Sequence, residues 1–284
     1  MGVIIIQIRR PLLIILVFVI AISFIITNNT KNNEEINDKI ITIQGIVKGK
    51  IEKKRYNQYK VGVFLINDYT KNKNLKIGQK VNITGKFKSL DKMKYDDFDY
   101  GRYIKSTGYK GIVYINNYKI IDKNKFYSLI GEIKFYISKT YRYLYKKNSD
   151  FINSILLAEV ENLSEEQKEI FTRTGTSHVI SISGLHTGIL CIIISFLLRG
   201  INKLYKLLIL SIFITLYCIM VGASPSIIRS IAFVMIFYLS IFIDRKKDGI
   251  SALSLIGIIL IMNNPYVIYN VSFQLSFLAT LSIL

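Results

Sequence analysis

The chain is short of the residues on which most catalytic, metal and disulfide chemistry depends. Its 284 residues include no Trp, 2 Cys, 2 His and 3 Pro, with 19 Asp and Glu against 38 Lys and Arg, a net charge of +19. Cys191 and Cys218 both lie within apolar runs, which argues against a disulfide framework or a thiolate metal site. His178 and His186 stand eight residues apart, without H-E-x-x-H spacing or nearby acids, so neither a metal nor any other cofactor is expected. A G-x-S-x-G elbow is also missing. Ser183 and His186, three apart on a helix, hold their side chains parallel rather than in line for proton transfer, so no catalytic residue and no enzymatic step are expected.

What is present falls into two kinds. The chain is 51% hydrophobic yet strongly basic, which suits neither a plain soluble globule nor a pure bundle of membrane helices. Residues 31–147 hold 27 basic and 11 acidic side chains, so +16 of the +19 sits in that segment. An AT-rich genome would enrich Ile, Lys, Asn and Tyr without selection. A polyanion-binding face accounts better for the scarcity of acids beside the lysines.

Four segments are expected. Residues 1–27 read as a membrane anchor: the apolar run after Arg9 and Arg10 is not followed by a small-x-small cleavage site, and its basic end should remain cytoplasmic. Residues 28–125 read as an extracellular basic β-barrel. "ITIQGIVKGKI" puts Ile41, Ile43, Val47 and Ile51 on one face, with glycines that permit a bulge. "KVGVFLI" from Lys60 and "KVNITGKFK" from Lys80 repeat the alternation, and a short helix near 98–104 precedes the strand "KGIVYI". Bent strands with a small helix before the last suit a five-stranded barrel of the oligonucleotide-binding type, and other small barrels would give the same pattern.

Residues 126–175 read as amphipathic interfacial helices, with Phe126, Leu129, Ile130, Ile133, Ile137 and Leu144 at helical spacing and a capping box at Ser164 and Gln167. Residues 176–284 read as a polytopic membrane domain, with crossings near 178–198, 204–221, 225–243, 249–262 and from 271 onward. The loops "RGINK" and "DRKKD" carry the basic residues and "GAS" and "NNPYVIYN" carry none, as expected if the amino end is inside. The fold class is thus an α-helical polytopic membrane domain preceded by a small all-β barrel.

Two polar groups interrupt the apolar runs. Around "SISGLHTGIL", Ser177, Ser181, Gly184 and Gly188 form a small-residue stripe for close helix packing. Ser183, His186 and Thr187 lie on another side, where they meet either a neighbouring helix or a polar path. In "GASPSIIRS", Ser224 can cap a helix that starts at Pro225, with Ser226, Arg229 and Ser230 on one face. Arg229 either snorkels to headgroups or presents a fixed positive charge to a cavity. Gln274 points away from the Ser272, Ser276 and Ala279 stripe, where it either bonds another helix or joins His178, Ser181, Ser183, Gly184, His186, Ser224, Ser226 and Arg229 in the polar set expected along a path through the membrane. In the barrel, Lys53, Lys54, Arg55, Tyr56 and Tyr59 of the lysine-rich hairpin, with Lys86 and Lys88, form the expected polyanion-binding set.

The stretches "FDYGRYIKSTGYKGIVY", "FTRTGTSHVISISGLHTGIL", "GASPSIIRS" and "NPYVIYNVSFQLSFLATLSIL", in that order, resemble the ComEC family of competence proteins. The resemblance implies a plasma-membrane, multi-pass channel component that takes up single-stranded DNA in natural competence. Implied partners are single-stranded DNA, membrane lipids, a DNA receptor and a cytoplasmic ATPase motor, with a homo-oligomer also expected. The resemblance reaches only the front portion of full-length relatives, which often carry a nuclease-like domain, so the membrane domain is expected to be truncated at its carboxyl end. The alternative is a membrane-anchored module that binds anionic polymers or lipid without transport.

Overall fold

The computed structural model describes residues 10–30, 36–53, 55–71, 74–95, 98–176, 180, 184–222, 227–228, 231–232, 235–236 and 248–283. Helix α1 (Pro11–Asn29) starts with proline at its first position, where a missing N–H costs nothing. It leads to strands β1 (Ile40–Glu52), β2 (Asn57–Val61), β3 (Phe64–Asp68) and β4 (Gln79–Lys88). After a short ribbon of β5 (Lys94–Tyr95) and β6 (Phe98–Asp99) come helix α2 (Tyr100–Ser106) and strand β7 (Gly111–Lys123).

The long strands close into a barrel in the order β1-β2-β3-β7-β4, with β3 and β7 parallel and the other pairs antiparallel. The alternation of β4 survives in the barrel: Val81, Ile83 and Phe87 are buried while Lys80 and Lys86 are exposed. The inward residues, with Val47, Tyr59, Val61, Ile66 and Val113, fill the interior. The pairing of β1 with β2 shifts between Val47 and Gly49, the irregularity that the glycines foreshadow. One strand is corrected. "KVGVFLI" is not continuous, because Gly62 (φ 57°) makes a tight turn that divides it into the β2–β3 hairpin. Outside the barrel, Leu90, Met93 and Ile104 cover Leu65 and Ile112, so α2 is seated on the β3–β7 wall.

Helices α3 (Lys125–Tyr145), α4 (Ser149–Leu157) and α5 (Glu165–Arg173) follow. Asn124 caps α3, and the expected capping box starts α5 with both reciprocal bonds present. Most of α3's apolar ridge, Phe126, Leu129, Ile133 and Leu144, is exposed, while Ile130 is buried.

The remaining helices are α6 (Gly184–Leu197), α7 (Lys203–Val221), α8 (Gly249–Asn263) and α9 (Val271–Ile283), the last two joined by a 3₁₀ turn at Pro265–Tyr269. Among the described residues, two helices, Pro11–Asn29 and Lys203–Val221, are long and apolar enough to cross a membrane, and α8 and α9 are shorter apolar helices. Of the expected crossing at 225–243, only residues 227–228, 231–232 and 235–236 are described, all helical.

Helices α1 and α8 run side by side in the same direction. Arg10 and Asp248 at their starts are 4.0 Å apart, and Ser23 toward the end of α1 donates to the Pro265 carbonyl just beyond α8 at 2.7 Å. Gly257 makes this approach possible: a Cβ there would lie 2.9 Å from Leu16 Cδ1 and 3.1 Å from Phe277 Cε1. Gly188, expected to serve that purpose in α6, has nothing among the described residues within 4 Å of its Cβ position.

Candidate functional site

The barrel presents a band of aromatic and cationic side chains on its outer surface. The band begins in the β1–β2 hairpin, where the Lys53 ammonium donates to the Tyr56 hydroxyl at 3.1 Å and stands 5.0 Å from that ring's centre. Tyr56 lies 4.8 Å from Tyr69, with the planes tilted by 32°. Tyr69 follows β3, where Asp68 accepts from the Thr70 N–H (3.1 Å) and hydroxyl (2.6 Å), an Asx turn that fixes how the chain leaves the strand. Its ring, 55% exposed, is 5.8 Å from that of Tyr114 on β7. Tyr114 pairs directly with Lys86 across the antiparallel β4–β7 ladder, so both side chains share the outer face.

The row therefore runs from a lysine through three phenol rings to a second lysine. Asp38 moderates the far end, 3.1 Å from the Lys86 ammonium and 3.8 Å from that of Lys88. The hydrogen bond from Lys86 is the leading cause that holds the Asp38 carboxyl below its ordinary range. A second aromatic group, Phe98, Tyr100 and Tyr103, lies on and beside α2, with Phe98 5.9 Å and Tyr100 6.2 Å from Tyr103. Tyr100 and Tyr114 pack on the same apolar cluster beneath α2.

Phenol faces at this spacing suit flat, sequence-tolerant stacking, and ammonium groups at both ends suit phosphate oxygens. The expected residues Lys53, Tyr56, Lys86 and Lys88 are gathered into the band, and Arg55 is exposed in the same hairpin. Lys54 lies outside the described residues. Tyr59 is corrected: it is fully buried in the barrel core, where desolvation pushes its phenol pKa up, and its ring meets no solvent. Tyr59→Phe should therefore leave oligonucleotide affinity within about 2-fold and lower stability by about 1 kcal/mol or more through the lost hydrogen bonds with Leu75 and Asn57, as read by anisotropy and thermal unfolding. Tyr69 and Tyr114 had escaped the sequence reading.

The helical set is not assembled in the same way. His178, Ser181, Ser183, Ser224, Ser226 and Arg229 lie outside the described residues. Gly184 opens α6, His186 is partly buried and Thr187 is buried, the latter two with interaction partners. Gln274 donates to the Ile268 carbonyl at 2.7 Å, a bond that closes the 3₁₀ turn and makes a structural brace of a residue expected along a polar path.

Two lysines mark where the barrel meets the helices. The Lys60 stem crosses Gly49 on β1, and its ammonium stands 3.8 Å from the Cβ position of Gly222 at the end of α7. Burial lowers the pKa of Lys60 and of Lys134 on α3, opposed by Glu161 for the first and by Glu159 and Glu161 for the second. A cavity of about 340 Å³ beside Lys53 is lined by Glu52, Glu161, Glu165 and Lys168, among others. With three carboxylates, that cavity does not extend the aromatic and cationic band.

Residues 155–284 match the family described as "Competence protein". ComE operon protein 3 of Bacillus subtilis (strain 168) is 26% identical over 160 residues, covering 56% of this chain and 21% of that protein. An uncharacterized protein of Aquifex aeolicus (strain VF5) is 31% identical over 124 residues, covering 43% of this chain and 29% of its own length. The chain thus spans less than a third of either curated relative. Among solved structures, an aspartyl tRNA synthetase from Entamoeba histolytica superposes with a TM-score of 0.24 at 11% identity, covering 65% of this chain and 42% of that one.

Proposed function

We propose, from the premise that residues 155–284 make this chain a competence protein of the ComEC family with a role in DNA uptake, that it is a component of the membrane channel that admits a single DNA strand. The observation that carries this reading is the band Lys53–Tyr56–Tyr69–Tyr114–Lys86. Rings stack on bases of any identity and lysines engage the backbone, which is what a sequence-indifferent uptake system needs. The strand order and the parallel β3–β7 pair support a barrel of the oligonucleotide-binding type. No bond-breaking step is proposed for this chain.

A multi-pass arrangement in the plasma membrane, with a cytoplasmic amino end and an outward barrel, is supported by three features. Arg10 and Asp248 mark one end of the α1–α8 pair, whereas Gly222, the 264–270 segment and the barrel gather at the other. Large apolar side chains such as Val17, Phe18 and Ile25 on α1 are open, as a lipid-facing helix requires. The exposed aromatics of α3, among them Phe135, Tyr136 and Tyr143, suit the wet boundary of a bilayer. The same feature favours the alternative reading, a barrel that attaches to anionic lipid or polymer without transport.

The full chain in neutral-lipid nanodiscs, titrated with labelled oligothymidine, tests the proposal. Affinity should fall steeply between about 50 and 200 mM salt, with a log–log slope of roughly −0.7 per phosphate contacted. Lys53→Ala should flatten that slope by roughly one contact. Asp38→Asn should tighten binding and steepen the slope, because it releases Lys86 and Lys88 from their shared carboxylate. No binding at the lowest salt, or a preference for anionic vesicles over the oligonucleotide, would sink the proposal.

A further inference from the structure

Two of the four stretches that carry the family resemblance, 98–114 and 264–284, meet in space, and the stacking band explains neither contact. Asn264 donates through its side-chain amide to the carbonyls of Lys105 (2.9 Å) and Ser106 (3.2 Å). These are last-turn carbonyls of α2; the Gly108 N–H also donates to Lys105 at 2.9 Å, so the helical layer completes, rather than alone supplies, the carboxyl-terminal cap of a helix belonging to the barrel. Asn270 closes the other side of the same turn, its amide donating to the Ser106 hydroxyl at 3.0 Å in a buried bond.

Between the two asparagines, two tyrosines receive cations from α2 on their faces. The Arg102 guanidinium lies 4.9 Å from the centre of Tyr269, and the Lys105 ammonium 5.0 Å from that of Tyr266. The same tyrosines reach back to α1 through their hydroxyls, Tyr266 to Thr30 at 2.7 Å and Tyr269 to Thr27 at 3.0 Å. One seven-residue segment thus ties the barrel's helix, the end of the first apolar helix and the α8–α9 pair together by hydrogen bonds and cation–π contacts. Such contacts are directional, so they fix orientation as well as proximity.

We propose that residues 264–270 are a positioning element: they dock α2, and with it the barrel, in a single orientation on the helices, so that a strand held on the aromatic band is delivered to one place. The barrel is then a rigid part of the membrane domain. This inference rests on the uptake reading for its purpose, but its geometry can be tested without DNA.

Spin labels at Lys119→Cys and Ile283→Cys, in the full chain carrying Cys191→Ser and Cys218→Ser in nanodiscs, report the separation of barrel and helices. A single narrow distance distribution is expected. It should broaden in Asn264→Ala/Asn270→Ala, and also in Arg102→Met, which leaves the 264–270 segment untouched should the double variant fold poorly. Oligothymidine affinity should stay within about 2-fold in both, because the aromatic band is intact. DNA uptake by cells that carry the variant should fall by about 10- to 100-fold, since the strand loses its fixed effective concentration at the helices. A distribution that stays narrow in both variants overturns the proposal, as does broadening with undiminished uptake. An unmutated chain that binds no oligothymidine, yet gives the expected distances, would instead refute the uptake reading and leave the docking role standing.

Discussion

Replacing Tyr56 and Tyr69 together by alanine should weaken oligothymidine binding by at least about 30-fold, because each base–aromatic stack is worth roughly 1–3 kcal/mol. The rings are 4.8 Å apart and touch each other, so their losses will not simply add. The double replacement is the informative one, since either ring alone can partly cover for its neighbour. Tyr56 precedes β2 and Tyr69 follows β3, both outside the barrel's apolar core, so the protein should unfold at nearly the same temperature as the parent. Tyr69→Phe, which keeps the π-face, should retain most of the affinity. Fluorescence anisotropy at fixed low salt checks all of these. A double variant that binds within 2-fold of the parent would remove the band from the DNA site.

The largest structural effect is expected from Gly101→Ala. A Cβ at Gly101 would overlap the Leu90 carbonyl oxygen and sit 2.8 Å from its carbon. Both atoms belong to the backbone, so no rotamer change can relieve the clash. The Gly101 N–H also donates to the Met93 carbonyl at 3.0 Å, which pins α2 close to the 90–93 turn. The methyl group must push α2 off its seat, at a cost of about 3 kcal/mol or more, the upper end for overpacked sites. Displacement of α2 should also open the contacts of Arg102 and Lys105 with Tyr269 and Tyr266. Hydrogen exchange should therefore speed up in residues 100–107 and 264–270 together, and protection unchanged in the second segment would show that the two are not coupled.

Much of the barrel was legible because one face of each strand is core and the other is solvent. The alternation in β4, the irregularity near Gly49 and the capping box at Ser164 all follow from local rules that need no partner. β2 was misread because that rule fails there. Asn57, Gln58, Tyr59 and Val61 are all buried, so no polar face remains to reveal the phase, and Tyr59 passed for part of the exposed hairpin. Gln58 is buried through a bond to Asn67 at 2.8 Å, a cross-strand partner that only the register supplies.

Tyr114 was overlooked for a related reason. In β7 it alternates with the inward Val113 and Ile115, which marks it as outward. That it faces Tyr69 and Lys86 depends on one parallel and one antiparallel pairing with strands distant in sequence. The family-like stretches were equally visible as motifs, while their contact at 264–270 joins positions more than 150 residues apart. The small-residue stripe also misled the helix packing, since among the described residues Gly257 rather than Gly188 lies where helices close on each other.

The asparagine cap on α2 has a bearing on biosynthesis. Every strand of the barrel is complete by Lys123, whereas the amides that finish α2 come from Asn264 and Asn270. A ribosome adding about 5–20 residues per second needs several seconds or more to cover that gap, and domains fold in the order they emerge. The newly made barrel must wait through that interval without its two asparagine partners, and it can seat only after the later helices have been made. Assembly is therefore sequential, with the barrel maturing before its dock exists.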